Sequence, residues 1–167
     1  AAQRRQCHLC THVAESSDEF AMFACGSGRL FDWLKRQRDM SDCGRRTPVE
    51  CLRDLGALSP RFLAVHLNYF TATDAALLAR SGASVVHCPR SHAYFQHQRF
   101  DLEALAAAGV NVCLGTDSLA SMLKERGKKP RLTMFAEMAA LAQSHPALAP
   151  ETILRMATVN GARALGR

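Results

Sequence analysis

The sequence predicts an α/β fold built on parallel strands. Short runs of apolar and β-branched residues recur along the chain, and each is followed by a polar turn and a longer stretch with helical spacing. Threonine, proline and glycine stand where such helices start and stop. A histidine or an aspartate stands where each apolar run ends.

The first strand is expected over Cys7 to Thr11. A helical region follows from Ser17 to Gln37, with Phe20, Phe23, Leu30, Phe31 and Leu34 as its apolar stripe and Gly26 and Gly28 interrupting it. After the turn-like DCGRRTP, Pro48 opens a short helix to about Asp54, and Phe62 to His66 is the second strand. Thr71 or Thr73 caps the next helix, which carries Ala75, Leu77 and Leu78 and stops at Gly82; Ser84 to His87 is the third strand. The fourth unit has a helix from Asp101 to Ala108, the stop Gly109, and a strand from Val110 to Leu114. Helices are expected over Leu132 to Gln143, Pro150 to Ala157 and Asn160 to Leu165, the last two as a bent pair. No composition shift or internal repeat divides the chain, so residues 1–167 read as one domain.

The composition rules out several classes. Apolar residues make up 48% of the chain and charged residues 22%, the balance of a globular protein and not of a disordered one. The richest apolar run, Phe62 to Leu67, is far short of a membrane span, and AAQRRQCHLC lacks the apolar region of a secretory signal. The seven cysteines are odd in number and scattered, which reads as reduced and cytoplasmic. The net charge of +6 has its most visible source in KERGKKPR, Lys124 to Arg131, a run read as a solvated loop and not as a nucleic-acid surface. The sequence begins without methionine, so preceding residues are expected.

The chemistry lies at the strand ends. Strand one runs into Thr11–His12, with Glu15 three positions on; strand two ends in His66, strand three in His87, and strand four in Gly115–Thr116–Asp117–Ser118. In a βα barrel the C-terminal ends of the strands converge on one face, which would gather these groups. A lone histidine at a strand end is usually structural, and an aspartate after Gly-Thr is often a helix cap. Four strands delivering imidazole and carboxylate together instead match the ligands of a hydrolytic metal site, with Glu15 placed as a general acid or base.

The segments THVAES (Thr11 to Ser16), LAVHLNYF (Leu63 to Phe70), VVHCPRSH (Val85 to His92) and CLGTDSLAS (Cys113 to Ser121) resemble, in order, the signature segments of the amidohydrolase superfamily. The similar branch contains adenosine-type, guanine and aminofutalosine deaminases and triazine hydrolases. The ending TILRMATVNGARALG is similar to the helical segment that follows the barrel in those enzymes. The resemblance implies a TIM (β/α)8-barrel of which this chain supplies strands five to eight, and hydrolysis of a C–N bond in an aminated nitrogen heterocycle. It implies one divalent metal, zinc or else iron, held by His12 and Asp117. It makes Glu15 the acid that protonates the substrate ring, His66 the group that orients water and oxyanion, and Asp117 the proton shuttle as well as a ligand. His87, Arg90, Ser91, His92 and Ser118 fall in the substrate pocket, the middle three on a loop.

The two further metal ligands that such enzymes carry as His-x-His at strand one have no counterpart here. The expected partners are therefore the missing N-terminal half and a second copy of the chain, besides the small-molecule substrate. Two other readings use the same residues: a triazine-type chlorohydrolase or amide hydrolase, and a half-barrel without catalysis. A redox or zinc module on Cys7–His8–Leu9–Cys10 is weaker, because no second pair follows. The zinc nucleobase deaminases with His-x-Glu and Pro-Cys-x-x-Cys also fail on spacing.

Overall fold

The computed structural model describes residues 7–123 and 129–167. Its elements follow in the order β1 (Leu9–Val13), α1 (Ser17–Cys25), α2 (Arg29–Leu34), α3 (Pro48–Asp54), β2 (Phe62–His66), α4 (Ala72–Ser81), β3 (Ser84–His87), α5 (Pro89–Tyr94), α6 (Leu102–Ala107), β4 (Asn111–Leu114), α7 (Met134–Ser144), α8 (Pro150–Ala157) and α9 (Val159–Ala164). The four strands form one parallel sheet in the order β1-β2-β3-β4, so every connection returns the chain to the next position through helix. All four C-terminal ends consequently lie on the same edge of the sheet.

Local chemistry starts and stops the helices. Ser16 accepts a hydrogen bond from the Glu19 N–H, and Thr47 and Thr71 form reciprocal capping boxes with Glu50 and Asp74. The buried Asp74 also accepts from the Thr47 hydroxyl, tying the start of α3 to that of α4. Gly26 and Gly82 close α1 and α4 at φ 62° and 70°, a region that costs other residues about 1–2 kcal/mol. One face of the sheet packs under the helices: Phe62, Ala64, Val85 and Val112 meet Leu78, Leu105, Leu141, Ile153 and Met156 in a continuous buried core.

Two expectations shift. The first strand lies two residues later than Cys7 to Thr11, because its partner β2 begins at Phe62 and the ladder starts with Leu9 opposite it. Arg90, Ser91 and His92 lie on the short helix α5 and not on a loop. Pro89 opens that helix, and a carboxylate from a distant element, Glu137 of α7, accepts the Arg90 N–H at 3.0 Å. Of the basic run, residues 124–128 lie outside the described residues, while Lys129, Pro130 and Arg131 are exposed. Among the described residues no helix is long and apolar enough to cross a membrane.

Candidate metal centre

The strand ends turn abruptly where the polar side chains stand. The peptide N–H of Leu67 donates to the Val13 carbonyl at 3.0 Å and that of Gly115 to the His87 carbonyl at 2.9 Å, carrying the ladders one step past the strands. Beyond those bonds the backbone enters the left-handed region at Ala14 (φ 48°), His66 (72°), Leu67 (50°) and Asp117 (49°). None of these is glycine, and such strain persists only where surrounding structure imposes it, commonly at functional sites. Gly115 has a different constraint: a Cβ there would stand 2.7 Å from Val86 Cγ1 and 3.3 Å from Cys88 Sγ. The chain passes so close to β3 that only a hydrogen fits.

These turns bring His12, His66 and Asp117 together. Each offers one ligand atom, and the three atoms lie within 4.8 Å of one another. The rings of His12 and His66 are stacked with centroids 5.0 Å apart. His12 is exposed, His66 buried and Asp117 half-buried, so the group opens to solvent on the His12 side. His66 Nε2 is buried with no hydrogen-bond partner among the described residues, and its nearest acid, Glu15 Oε1, stands 3.6 Å away. A buried ring nitrogen left bare, beside a second imidazole and a carboxylate, is a donor set that fits a divalent ion of the zinc type.

Burial and polar neighbours keep His66 neutral and Asp117 ionised. Burial pushes the His66 imidazole down to about 4, against the pull of Asp117, so the ring is neutral at pH 7. Burial would raise the Asp117 carboxyl, yet the Ser121 and Ser91 hydroxyls and the two imidazoles hold it below the usual aspartate range. The Ser121 hydroxyl donates to Asp117 Oδ2, and Ser118 in turn bonds Ser121 with the two hydroxyl oxygens 3.1 Å apart.

The other expected residues separate into two sets. Glu15, Ser91 and Ser118 border the group, whereas His87 does not join it: that ring is buried and lies flat on Phe100, centroids 3.9 Å apart at 8°. His92 is bonded through Nδ1 to Asn68 Oδ1 at 3.0 Å. The Arg90 guanidinium turns away to the Arg131 carbonyl at 2.9 Å and to Met122 Sδ. His87, His92, His97 and His145 instead line a separate cavity of about 350 Å³. Cys7 and Cys10 are exposed and outside the group. Sequence reasoning gave no role to Ser121, although it lies in the CLGTDSLAS segment, nor to Asn68 and Glu19, which bond the backbone around Glu15.

With this geometry in hand, comparison with known proteins is decisive: the amidohydrolase family pattern matches residues 1–167. The chain belongs to the amidohydrolase family. It is 38% identical over 164 residues to an aminodeoxyfutalosine deaminase of Deinococcus radiodurans, covering 93% of this chain and 38% of that protein. It is 39% identical over 137 residues to a 5-methylthioadenosine/S-adenosylhomocysteine deaminase of Teredinibacter turnerae, covering 78% of this chain and 29% of the relative. Among solved structures it resembles an adenosine deaminase from Xanthomonas campestris with bound zinc, at 31% identity and TM-score 0.75, over 99% of this chain and 34% of that one. The Escherichia coli guanine deaminase shares the fold at TM-score 0.75 and 18% identity, over 98% of this chain and 34% of that one. The chain thus spans about a third of the length of the relatives it matches.

Proposed function

We propose that this amidohydrolase chain is the C-terminal half of a (β/α)8 barrel whose whole protein removes an amino group from a nitrogen heterocycle by hydrolysis. The observation that carries the reading is the convergence of His12, His66 and Asp117 within 4.8 Å at the strand ends, with Glu15 beside them. The relatives named as deaminases of adenosine-type compounds support an aminopurine-like substrate, and the relative with bound zinc supports zinc.

His12 and Asp117 would hold the ion, with His66 adjoining it. A divalent ion there would supply acidity to water, lowering its pKa toward neutrality. The Asp117 carboxylate, kept ionised by its hydroxyl and imidazole neighbours, takes the proton of the attacking water. Glu15 gives a proton to the ring nitrogen next to the attacked carbon; Asp117 passes the proton taken from water to the amino group, and the adduct collapses with loss of ammonia as Glu15 recovers a proton from the adduct hydroxyl. His66, held neutral, offers a hydrogen bond to the developing oxyanion. Ser91 and Ser118 border the space where the heterocycle would lie, and His87, Arg90 and His92 support that wall from behind.

The two edge strands, β1 and β4, each keep one side unpaired by this sheet, and the sequence holds no His-x-His pair. A catalytic zinc site usually takes three protein ligands and water, so this chain by itself would bind the ion weakly and turn nothing over. The test measures metal content and ammonia release from aminopurine nucleosides, for the chain alone and together with a segment carrying His-x-His and four βα units. Activity only in the combined protein is expected, reduced about 10²–10⁴-fold by Asp117→Asn. Turnover by the chain alone, or an undiminished Asp117→Asn variant, would overturn the reading.

A further inference from the structure

We infer that Glu19 and Asn68 are positioning residues that fix the peptide carrying Glu15, an inference resting on the proposed role of Glu15 as the acid at this site. The Glu19 carboxylate accepts two consecutive backbone N–H groups, Ala14 on Oε1 at 2.7 Å and Glu15 on Oε2 at 2.9 Å. From the other side, Asn68 Nδ2 donates to the Glu15 carbonyl at 2.9 Å. The peptide groups on both sides of the Glu15 Cα are thereby tied, one to α1 and the other to the turn after β2. Asn68 is itself buried, and its Oδ1 is engaged by His92 Nδ1 at 3.0 Å. Its amide therefore has a fixed orientation, with the NH2 toward Glu15.

Comparison with the other helix starts shows that Glu19 serves more than the helix. In α3 and α4 the third residue, Glu50 or Asp74, reaches back to the backbone N–H of the capping threonine, 2.8 Å in each case. In α1 the cap is Ser16 and the third residue is Glu19, but its carboxylate passes the cap and reaches Glu15 and Ala14. Ala14 is the residue at φ 48°, and two charge-assisted bonds to the turn it makes help to hold an otherwise unfavourable conformation, beside the Tyr69 N–H that donates to the Ala14 carbonyl at 3.2 Å. Without them Ala14 can relax, and the Glu15 side chain moves with it. An ångström of misplacement of a reacting group costs up to about 10²-fold in rate.

The experiment is a pair of double-mutant cycles in the full-length protein: Glu19→Ala and Asn68→Ala, each made in the wild type and in a Glu15→Gln background. In the wild type, Glu19→Ala is expected to lower kcat about 10- to 100-fold with KM and bound metal nearly unchanged, and Asn68→Ala about tenfold. Glu19→Gln, which keeps one acceptor oxygen, should regain part of the loss and covers the case of a poorly folded alanine variant. In the Glu15→Gln background both substitutions should cost less than about twofold, because they act through Glu15. Equal losses in both backgrounds, with Glu15→Gln itself impaired, would overturn the inference alone. A Glu15→Gln variant as active as the wild type would overturn the role of Glu15 and the inference with it.

Discussion

Two groups of histidines stand at the same edge of one sheet and meet different fates. His12, one residue before the end of β1, and His66, the last residue of β2, stack on each other and share their surroundings with Asp117. His87 ends β3 in the same way, yet it stacks on Phe100 and belongs with His92, His97 and His145. The difference lies in the backbone and in the available charge. After β2 the chain takes two left-handed residues, His66 and Leu67, whereas after β3 Cys88 and Pro89 lead directly into α5. The first group also faces a carboxylate, while the second has aromatic and carbonyl neighbours such as the Phe100 oxygen, 2.9 Å from His145 Nε2. In this sheet, of His66 and His87, the imidazole that meets a carboxylate is the one whose own backbone is strained at the strand end.

The largest effect should come from breaking that contrast directly. In the full-length protein His66→Ala is expected to remove turnover by about 10³-fold and weaken metal retention, besides the stability lost with a buried ring. His87→Ala should cost about 2–3 kcal/mol of stability through the void left against Phe100, with metal content unchanged. Metal analysis beside denaturant midpoints separates the two. If His87→Ala empties the metal and His66→Ala does not, the division of labour proposed for the two groups is wrong.

A second test sharpens the role of close approach at the strand ends. Gly115→Ala places a methyl 2.7 Å from Val86 Cγ1, which should cost about 2 kcal/mol, since Val86 sits on a paired strand and can yield little. Activity should fall as well, because Asp117 lies two residues further on. Pairing it with Val86→Ala removes the clashing methyl and should restore part of both, a non-additive result measured by thermal melting and by turnover. An additive double mutant would mean that the contact does not set the path of this loop.

How far the sequence carries the argument depends on the range of each interaction. Pro48, Thr71, Gly82 and Gly109 act within one turn of chain, and the elements they delimit lie where the sequence places them. The convergence of His12, His66 and Asp117 also follows from pattern, because parallel topology gathers strand ends. What escapes is set by partners distant in sequence. The bond from Glu137 to Arg90 spans 47 residues and the bond from Asn68 to Glu15 spans 53. The backbone turn that separates His66 from His87 has no local signature either, since a histidine at positive φ reads like any other in a sequence. Only the Cys88–Pro89 pair hints that the third strand ends differently.

The smallest expected effect is a pH dependence of stability carried by the second histidine group. Burial pushes His92 down to about 4, with His97, His145 and His66 adding repulsion and the Gln98 backbone opposing them. The imidazole of the unfolded chain takes its proton near pH 6.5. Between pH 6.5 and 4 the unfolded state therefore holds more protons than the folded state at this residue, so stability rises with pH across that window and falls on acidification. His87, held well below the ordinary imidazole range by burial, with His92, His145 and His66 adding repulsion, acts with the same sign. From pH 7 to pH 5 the His92 contribution should be about 1–2 kcal/mol. His92→Asn, which can still meet the Asn68 amide, should flatten the dependence of the urea midpoint on pH by that amount, leaving the slope due to His66, His87 and His97, whose imidazoles are lowered as well. An unchanged slope in the variant would show that His92 titrates alike in the folded and unfolded chain.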